Sequence, residues 1–295
     1  MKFSVGEKIF NAINHILVIA VVIITLYPFY YIVVHSLNQG MDSARGGVYF
    51  WPRVFTIENF QALFNQKYME INILKSYRFT VIKTLVGTTA SMIVSGMLAY
   101  GLSRKKLPGV KGFVYYALVP MYFSGGLIPT FMVVRFLGLY DTFAVFILLF
   151  LVQPFYIIVM KSFFSHFPAE IEEAASIDGS NEVRTFVTIV VPLSKPVIAT
   201  IALYFAVWHW NDFTTALIYA SKLSLQPIQN TVYRLINQMT PASYTQPRMG
   251  RTVSTITPHA ILMTAAVVTS LPMILVYPFL QKYFVKGVML GAIKG

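Results

Sequence analysis

The sequence predicts an all-α integral membrane protein, and three observations predict it. Hydrophobic residues make up 56% of the 295 positions and charged residues only 12%, a balance far from that of a soluble globule. Apolar windows close to the roughly 20 residues that a helix needs to cross a hydrocarbon layer recur along the chain. Polar character is concentrated instead: the segment 164–195, set between two apolar runs, holds five of the eleven acidic residues.

Six candidate spans follow, at about 16–34, 84–103, 112–134, 142–160, 196–220 and 259–281. The first comes after Lys2 and Lys8, as in a signal peptide, but its 19 charge-free residues exceed a signal core and no small-x-small cleavage site follows. It is expected to be a retained anchor. In the second span Gly87, Ser91, Ser95 and Ala99 recur every four residues, the row of small side chains that lets helix backbones approach in lipid. The third span reads "VPMYFSGGLIPTF", in which Pro120, Gly125, Gly126 and Pro129 interrupt the hydrogen-bond ladder. Freed backbone groups at membrane depth are tolerated where they are buried in protein or line a wet cavity. Gly125 and Gly126 are therefore candidates for a substrate path, and a packed kink is the alternative.

Orientation is read from Lys and Arg near the span ends. The short loop "SRKKLPGVKG" carries Arg104, Lys105, Lys106 and Lys111 with no acid, which places it in the cytoplasm. With six spans, both termini and the segment 164–195 are then cytoplasmic, and 38–77 and 221–258 are outer loops. The net charge of +12 is membrane-flank chemistry, since no basic stripe with interleaved aromatics suggests nucleic acid. With no cysteine there is no disulfide or thiolate site, the five histidines have no ligand spacing, and no metal site is expected.

Within 164–195, Pro168 marks a helix start. Glu170, Glu172 and Glu173 stand in the early turns, where the helix dipole favours anions, and Gly179 stands where the chain must turn. Ser180 or Asn181 can cap a second helix, in which Val183, Phe186, Val187 and Val190 share an apolar face. Pro192 and Pro196 end that helix and open the fifth span. That span reads "YFAVWHWNDFTTAL", with Phe205, Trp208, Trp210, Asn211 and Asp212, and Trp208 stands roughly 18 Å of helical rise beyond Pro196. This is too deep for an interfacial tryptophan belt. Aromatic rings stack on sugars, and Asn and Asp bond hydroxyls. These five residues are substrate-path candidates, against a reading in which Asp212 caps a helix break or pairs with a basic group. In "LQPIQNTVYRLINQM", Ile228, Val232, Leu235 and Ile236 fall on one helical face, as suits a helix on the outer membrane surface.

The spacing Glu173-Ala174-Ala175, three residues, Gly179, nine residues, Ile189, one residue, Val191, Pro192 resembles the EAA signature of permease subunits in bacterial ABC importers, with Val191 where the family has Leu. The stretches "LYPFYYIVVHSL", "FWPRVFTIENFQALF", "SGGLIPTF", "WNDF" and "QKYFVKGVMLGAIKG" are similar to the MalG-like carbohydrate permeases. Among these they look like the branch serving complex oligosaccharides such as aldouronate, rhamnogalacturonan or alginate fragments.

The resemblance implies a type I importer permease fold: six transmembrane helices in one domain, with a cytoplasmic coupling helix. It implies ATPase docking by Glu172, Glu173, Ala174, Ala175, Asp178, Gly179, Ile189 and Pro192. It also implies a heterodimer with a second permease, a pair of ATPase subunits that bind ATP and Mg, an extracellular or periplasmic solute-binding protein, and a C-terminal tail that reaches the ATPase. No GxxxxGK[ST] motif is present, so ATP hydrolysis is assigned to the partner and no cofactor or bond chemistry to this chain. A polyol or glycerol phosphate is the alternative cargo. Two rivals from other classes fare worse. A lipid-acting membrane enzyme needs an interfacial carboxylate, His or metal constellation, and a secondary carrier needs inverted repeats with paired broken helices; neither pattern appears.

Overall fold

The computed structural model describes residues 4–48, 50–65, 72–104, 107–238 and 256–292, with backbone alone for Ala169, Glu172, Tyr277 and 279–292. The regular secondary structure among the described residues is helical, apart from one isolated bridge between Asn38 and Phe55. Contacts divide the chain into two units, Met1–Ile73 with Val232–Pro272 and Leu74–Thr231 with Met273–Gly295.

In the first unit α1 (Val5–Ser36) opens on a capping box. The Ser4 amide donates to Glu7 Oε2 at 2.7 Å, and the Glu7 amide donates to Ser4 Oγ at 3.3 Å, so two orphan donors are satisfied reciprocally. None of the 18-residue apolar window of α1 is buried. A helix apolar on all sides and uncovered by its own chain needs lipid or another subunit around it. Only its end, Val34 to Ser36, is buried, where His35 meets the edge of the His259 ring at 5.5 Å.

Beyond α1 lie two short helices, α2 (Gly40–Ala44) and α3 (Glu58–Phe64), organised around Asn38. Its Nδ2 donates to Ser43 Oγ at 2.8 Å and Asp42 Oδ2 at 3.0 Å, while its Oδ1 accepts from the Val54 amide at 2.9 Å. Asn59 Nδ2 donates to the Ser36 and Asn38 carbonyls. Arg53 pairs with Asp42 at 3.0 Å. The Asn38 amide and this guanidinium hold the Asp42 carboxyl below its ordinary range.

In the second unit the small-residue row of α4 (Ile73–Ser103) has the partners that its spacing requires. A Cβ on Gly87 would lie 2.5 Å from the His209 ring. Ser91, Ser95 and Ala99 are fully buried, and the two hydroxyls donate to the Phe150 and Leu151 carbonyls at 3.3 and 3.4 Å.

Three of the expected spans are not straight helices. The third is α5 (Val110–Tyr122) followed by α6 (Leu127–Phe136), bent by 117°. The helix runs through Pro120 and breaks at residues 123–126, where Gly126 has φ 85°. In the fourth, α7 (Val145–Leu148) stops short of α8 (Pro154–Phe164). Pro154 supplies no N–H to an i−4 carbonyl, so the apolar run 142–160 holds a break that hydrophobicity alone does not reveal. The fifth is α12 (Lys195–Asn211), which ends at Asp212 and is followed by α13 (Thr214–Tyr219). The last expected span lies in α15 (Pro258–Ala292). By length and composition, the described residues hold three helices able to cross a membrane, or up to five if each bent pair counts as one, against the six expected. The difference arises because α8, at 11 residues, is too short to cross alone.

Close to the second unit's boundary, α14 (Ile228–Gln238) buries Ile228 and Leu235 and leaves Ile236 exposed. Its first turn is tied to α4: the Ile228 amide donates to Thr80 Oγ1 at 2.8 Å and Thr231 Oγ1 to Ser76 Oγ at 2.9 Å.

Candidate docking loop and aromatic cavity

The acidic segment folds as two helical limbs around a glycine turn. The first limb is α9 (Ala169–Ile177), with Pro168 just before it. Gly179 has φ 73°, and two bonds close the turn, Gly179 amide to Ser176 carbonyl at 3.0 Å and Ser180 amide to Ala175 carbonyl at 2.9 Å. This pair is the Schellman pattern, which needs a left-handed residue where Gly179 stands. Asn181 then caps α10 (Glu182–Thr185), its Oδ1 accepting from the Arg184 amide at 2.8 Å. A π-helical stretch, Phe186–Val190, continues into α11 (Val191–Leu193), which meets α12 at 89°.

Of the docking candidates, Glu173, Ala174, Asp178 and Gly179 are exposed on the first limb, Ala175 is buried, Ile189 is half-buried and Pro192 is exposed. Ile177, an isoleucine 86% exposed, stands among them. The Glu172 side chain lies outside the described residues. The second limb is anchored along one side only, and Val183 and Val187, expected on its apolar face, are exposed. Phe186 packs on Tyr100 with ring centroids 5.0 Å apart, and Val190 enters the core with Phe164 and Ile201. Sequence reasoning missed how this limb is fastened. Tyr100, near the end of α4, donates its hydroxyl to Glu182 Oε2 at 2.9 Å, and the Arg104 guanidinium lies 4.0 Å from the Tyr100 ring centroid. The loop is thereby bolted to the end of a membrane-length helix.

A cavity of about 520 Å³ lies between α8, α12 and the α12–α13 break. Trp208 approaches Phe150 with ring centroids 3.6 Å apart, Tyr156 and Tyr204 are stacked at 5.7 Å, and Asn211 and Asp212 complete the wall. The structure thus gathers Trp208, Asn211 and Asp212 at one cavity. Phe205 is in the core and Trp210 packs edge-on against Tyr77 at 5.8 Å. Gly125 and Gly126 are exposed at the α5–α6 bend and are not among the cavity's lining residues.

Asp212 is fully engaged. Its Oδ1 accepts from the Thr215 amide at 3.0 Å and caps α13; its Oδ2 lies 3.3 Å from Lys83 Nζ, which also donates to the Asp212 carbonyl at 3.0 Å. Both side chains are sealed, with exposures of 0% for Lys83 and 3% for Asp212. The two alternative roles considered for this residue, cap and ion pair, are met together. With the Asp212 side chain sealed against Lys83, the cavity wall presents aromatic faces and the Asn211 amide.

An uncovered apolar helix, an acidic loop bolted to a second membrane-length helix and an aromatic cavity define a membrane-embedded transport subunit. Residues 109–290 match the family described as binding-protein-dependent transport system inner membrane component, and the chain belongs to that family. It is a permease subunit of a binding-protein-dependent ABC importer and an integral membrane protein. It is 36% identical over its whole length to Protein LplC of Bacillus subtilis, covering 98% of that protein. It is 35% identical to the polygalacturonan/rhamnogalacturonan transport system permease protein YtcP of the same organism, over 98% of this chain and 99% of the relative. Among solved structures, a chain of a bacterial ABC transporter involved in the import of the acidic polysaccharide alginate superposes with a TM-score of 0.87. That likeness has 28% identity and covers 96% of this chain and 99% of that one.

Proposed function

We propose that this chain carries an oligosaccharide across the cytoplasmic membrane as one half of a heterodimeric permease, with ATP hydrolysed on Mg by a separate pair of ATPase subunits. A solute-binding protein delivers the cargo on the outside. Both chain ends and the loop 164–195 face the cytoplasm. The observation that carries this reading is the glycine turn at Gly179, which presents an exposed acidic limb with Ile177 at its tip while the second limb is anchored in the core. A docking element needs that division: one face free for a partner and one fixed to the helices it moves. Glu172, Glu173, Ala174, Ala175, Asp178, Gly179, Ile189 and Pro192 form the docking set.

The cargo is assigned from two supports. Relatives named for polygalacturonan, rhamnogalacturonan and alginate cover nearly the whole chain, and the cavity wall of Trp208, Phe150, Tyr156 and Tyr204 offers apolar ring faces suited to sugars. Trp208 and Asn211 are the sugar contacts in this half of the path, and Asp212 holds the wall in place.

The test is purification of the chain, tagged, from its native membrane. An ATPase and a second permease co-purifying in fixed proportion support the reading. A chain that purifies as a homo-oligomer and transports without an ATPase contradicts it.

A further inference from the structure

The loop after α2 turns back alongside the membrane-crossing helix. Gly46 and Gly47 both have φ 75°, a conformation that only glycine adopts freely, and together they reverse the chain. The residues that follow then descend along α1: the Val48 carbonyl accepts from His35 Nε2 at 3.0 Å, the Phe50 carbonyl accepts from the Tyr30 hydroxyl, and the Phe50 ring lies 6.1 Å from that of Tyr27. Tyr27 is nine residues before the helix end at Ser36, which is about 13 Å at roughly 1.5 Å per residue. Phe50 has therefore been carried down beside the uncovered apolar window of α1.

The chemistry of this segment suits that depth. The run "GGVYFWP", 46–52, contains no charge. The loop's Asp42 and Arg53 are paired with each other. Irregular backbone within a membrane requires its polar groups to be satisfied by protein, and here two carbonyls are taken up by side chains of α1 itself. Phe50 and Trp51 are 72% and 76% exposed beside a helix whose apolar window is left unburied by the described residues. Aromatic rings prefer the headgroup level of the bilayer, with the apolar body inward.

We infer that Phe50 and Trp51 form an aromatic foot inserted into the lipid interface at the Ser36 end of α1, fixing that helix in depth. The partner is bilayer lipid, at the boundary between headgroups and acyl chains. In the proposed orientation this is the outer leaflet; the insertion itself does not depend on which side that is.

The chain contains no cysteine, so Trp51→Cys in the assembled importer accepts one nitroxide label on this subunit, with the wild-type complex as the blank. In nanodiscs of phosphatidylethanolamine and phosphatidylglycerol, power-saturation EPR compares collisions with oxygen and with a water-soluble nickel chelate. The expected result is oxygen collisions exceeding nickel collisions, the reverse of the order for a label at Ala44→Cys, an exposed position of α2. Nickel collisions equal to those at Ala44 would make the foot a water-facing platform, and exclusion of both quenchers would mean that another subunit covers it. Either result overturns the inference while leaving the transport reading untouched. Phe50→Cys gives the same reading should Trp51→Cys fail to assemble.

Discussion

Lys83 Nζ stands 3.3 Å from Asp212 Oδ2, joining two helices at positions 129 residues apart with neither side chain open to solvent. A charge sealed in this way is costly once its partner is removed. Lys83→Met should lower the stability of the assembled importer by about 3–5 kcal/mol, read as an earlier melting transition in detergent. Asp212→Asn keeps an oxygen to cap α13 but strands the lysine and should shift the transition in the same direction. The double variant Lys83→Met with Asp212→Asn should recover part of the loss. Unchanged melting in both single variants would mean that the pair is dispensable.

Tyr100→Phe removes the hydroxyl that reaches Glu182 and keeps the ring against Phe186 and Arg104. One hydrogen bond to a charged group is worth about 1.5 kcal/mol or somewhat more, too little to unfold the subunit and enough to loosen the bolt under the docking loop. Basal ATPase activity and subunit stoichiometry should stay near wild type while oligosaccharide moved per ATP falls severalfold. An unchanged transport-to-ATP ratio would remove Tyr100 from the coupling path.

Asp141 clasps the turn after α6 to the end of α13. It sits at φ 59°, and its carboxylate accepts from the Ser221 hydroxyl at 2.6 Å and the Ser221 and Lys222 amides at 2.5 and 3.0 Å. The Ser221 hydroxyl first, and these amides with it, hold the carboxyl below its ordinary value of 3.8. A depressed carboxylate contributes stability that is full above the unfolded value and lost as pH falls through the folded one. Asp141→Asn, a residue type that tolerates left-handed backbone, should melt earlier than wild type at pH 6. The difference should close as pH drops below 3.8. A gap independent of pH would place the effect elsewhere.

Trp208→Ala separates transport from packing. Trp208 is half-buried and borders the cavity, so its loss should cut uptake about tenfold or more, as the loss of one stacking contact of about 1.5 kcal/mol implies. Melting and basal ATPase rate should move little. An early-melting variant would reassign the ring to structural packing against Phe150.

How much of this was legible in the sequence follows from what each signal measures. Hydropathy located the apolar runs, but it is blind to direction. It counted 112–134, 142–160 and 196–220 as spans although each holds a break, at Phe123–Gly126, just before Pro154 and at Asp212 respectively. The loop 164–195 was the most readable part, because Pro168, Gly179 and Asn181 act through local backbone rules that need no tertiary information, and each stands where those rules place it. Lys83 was missed for a definable reason. The apolar window began at Thr84, which left Lys83 as a flank, whereas α4 starts at Ile73 and carries Lys83 inside. Tyr100, Tyr156 and Tyr204 resemble any other membrane aromatic until the fold supplies Glu182 and the cavity. The C-terminal residues 293–295, the basic pair Lys105 and Lys106 and residues 239–255 of the segment 221–258 lie outside the described residues, so the expectations on them stand as sequence readings.

ATP-coupled saccharide import through the loop that turns at Gly179 is read from uptake into proteoliposomes. The purified importer, its binding protein and a radiolabelled oligogalacturonide are used, with and without ATP on the ATPase side, for wild type and Gly179→Val. A left-handed φ of 73° costs a residue with a Cβ roughly 1–2 kcal/mol, and a β-branched side chain adds to that, so the variant should insert normally with its docking limb misaimed. Wild-type uptake is expected only when ATP is supplied, and uptake by Gly179→Val is expected to fall to near background. ATP-independent uptake driven by an ion gradient, or wild-type uptake in Gly179→Val, would contradict it.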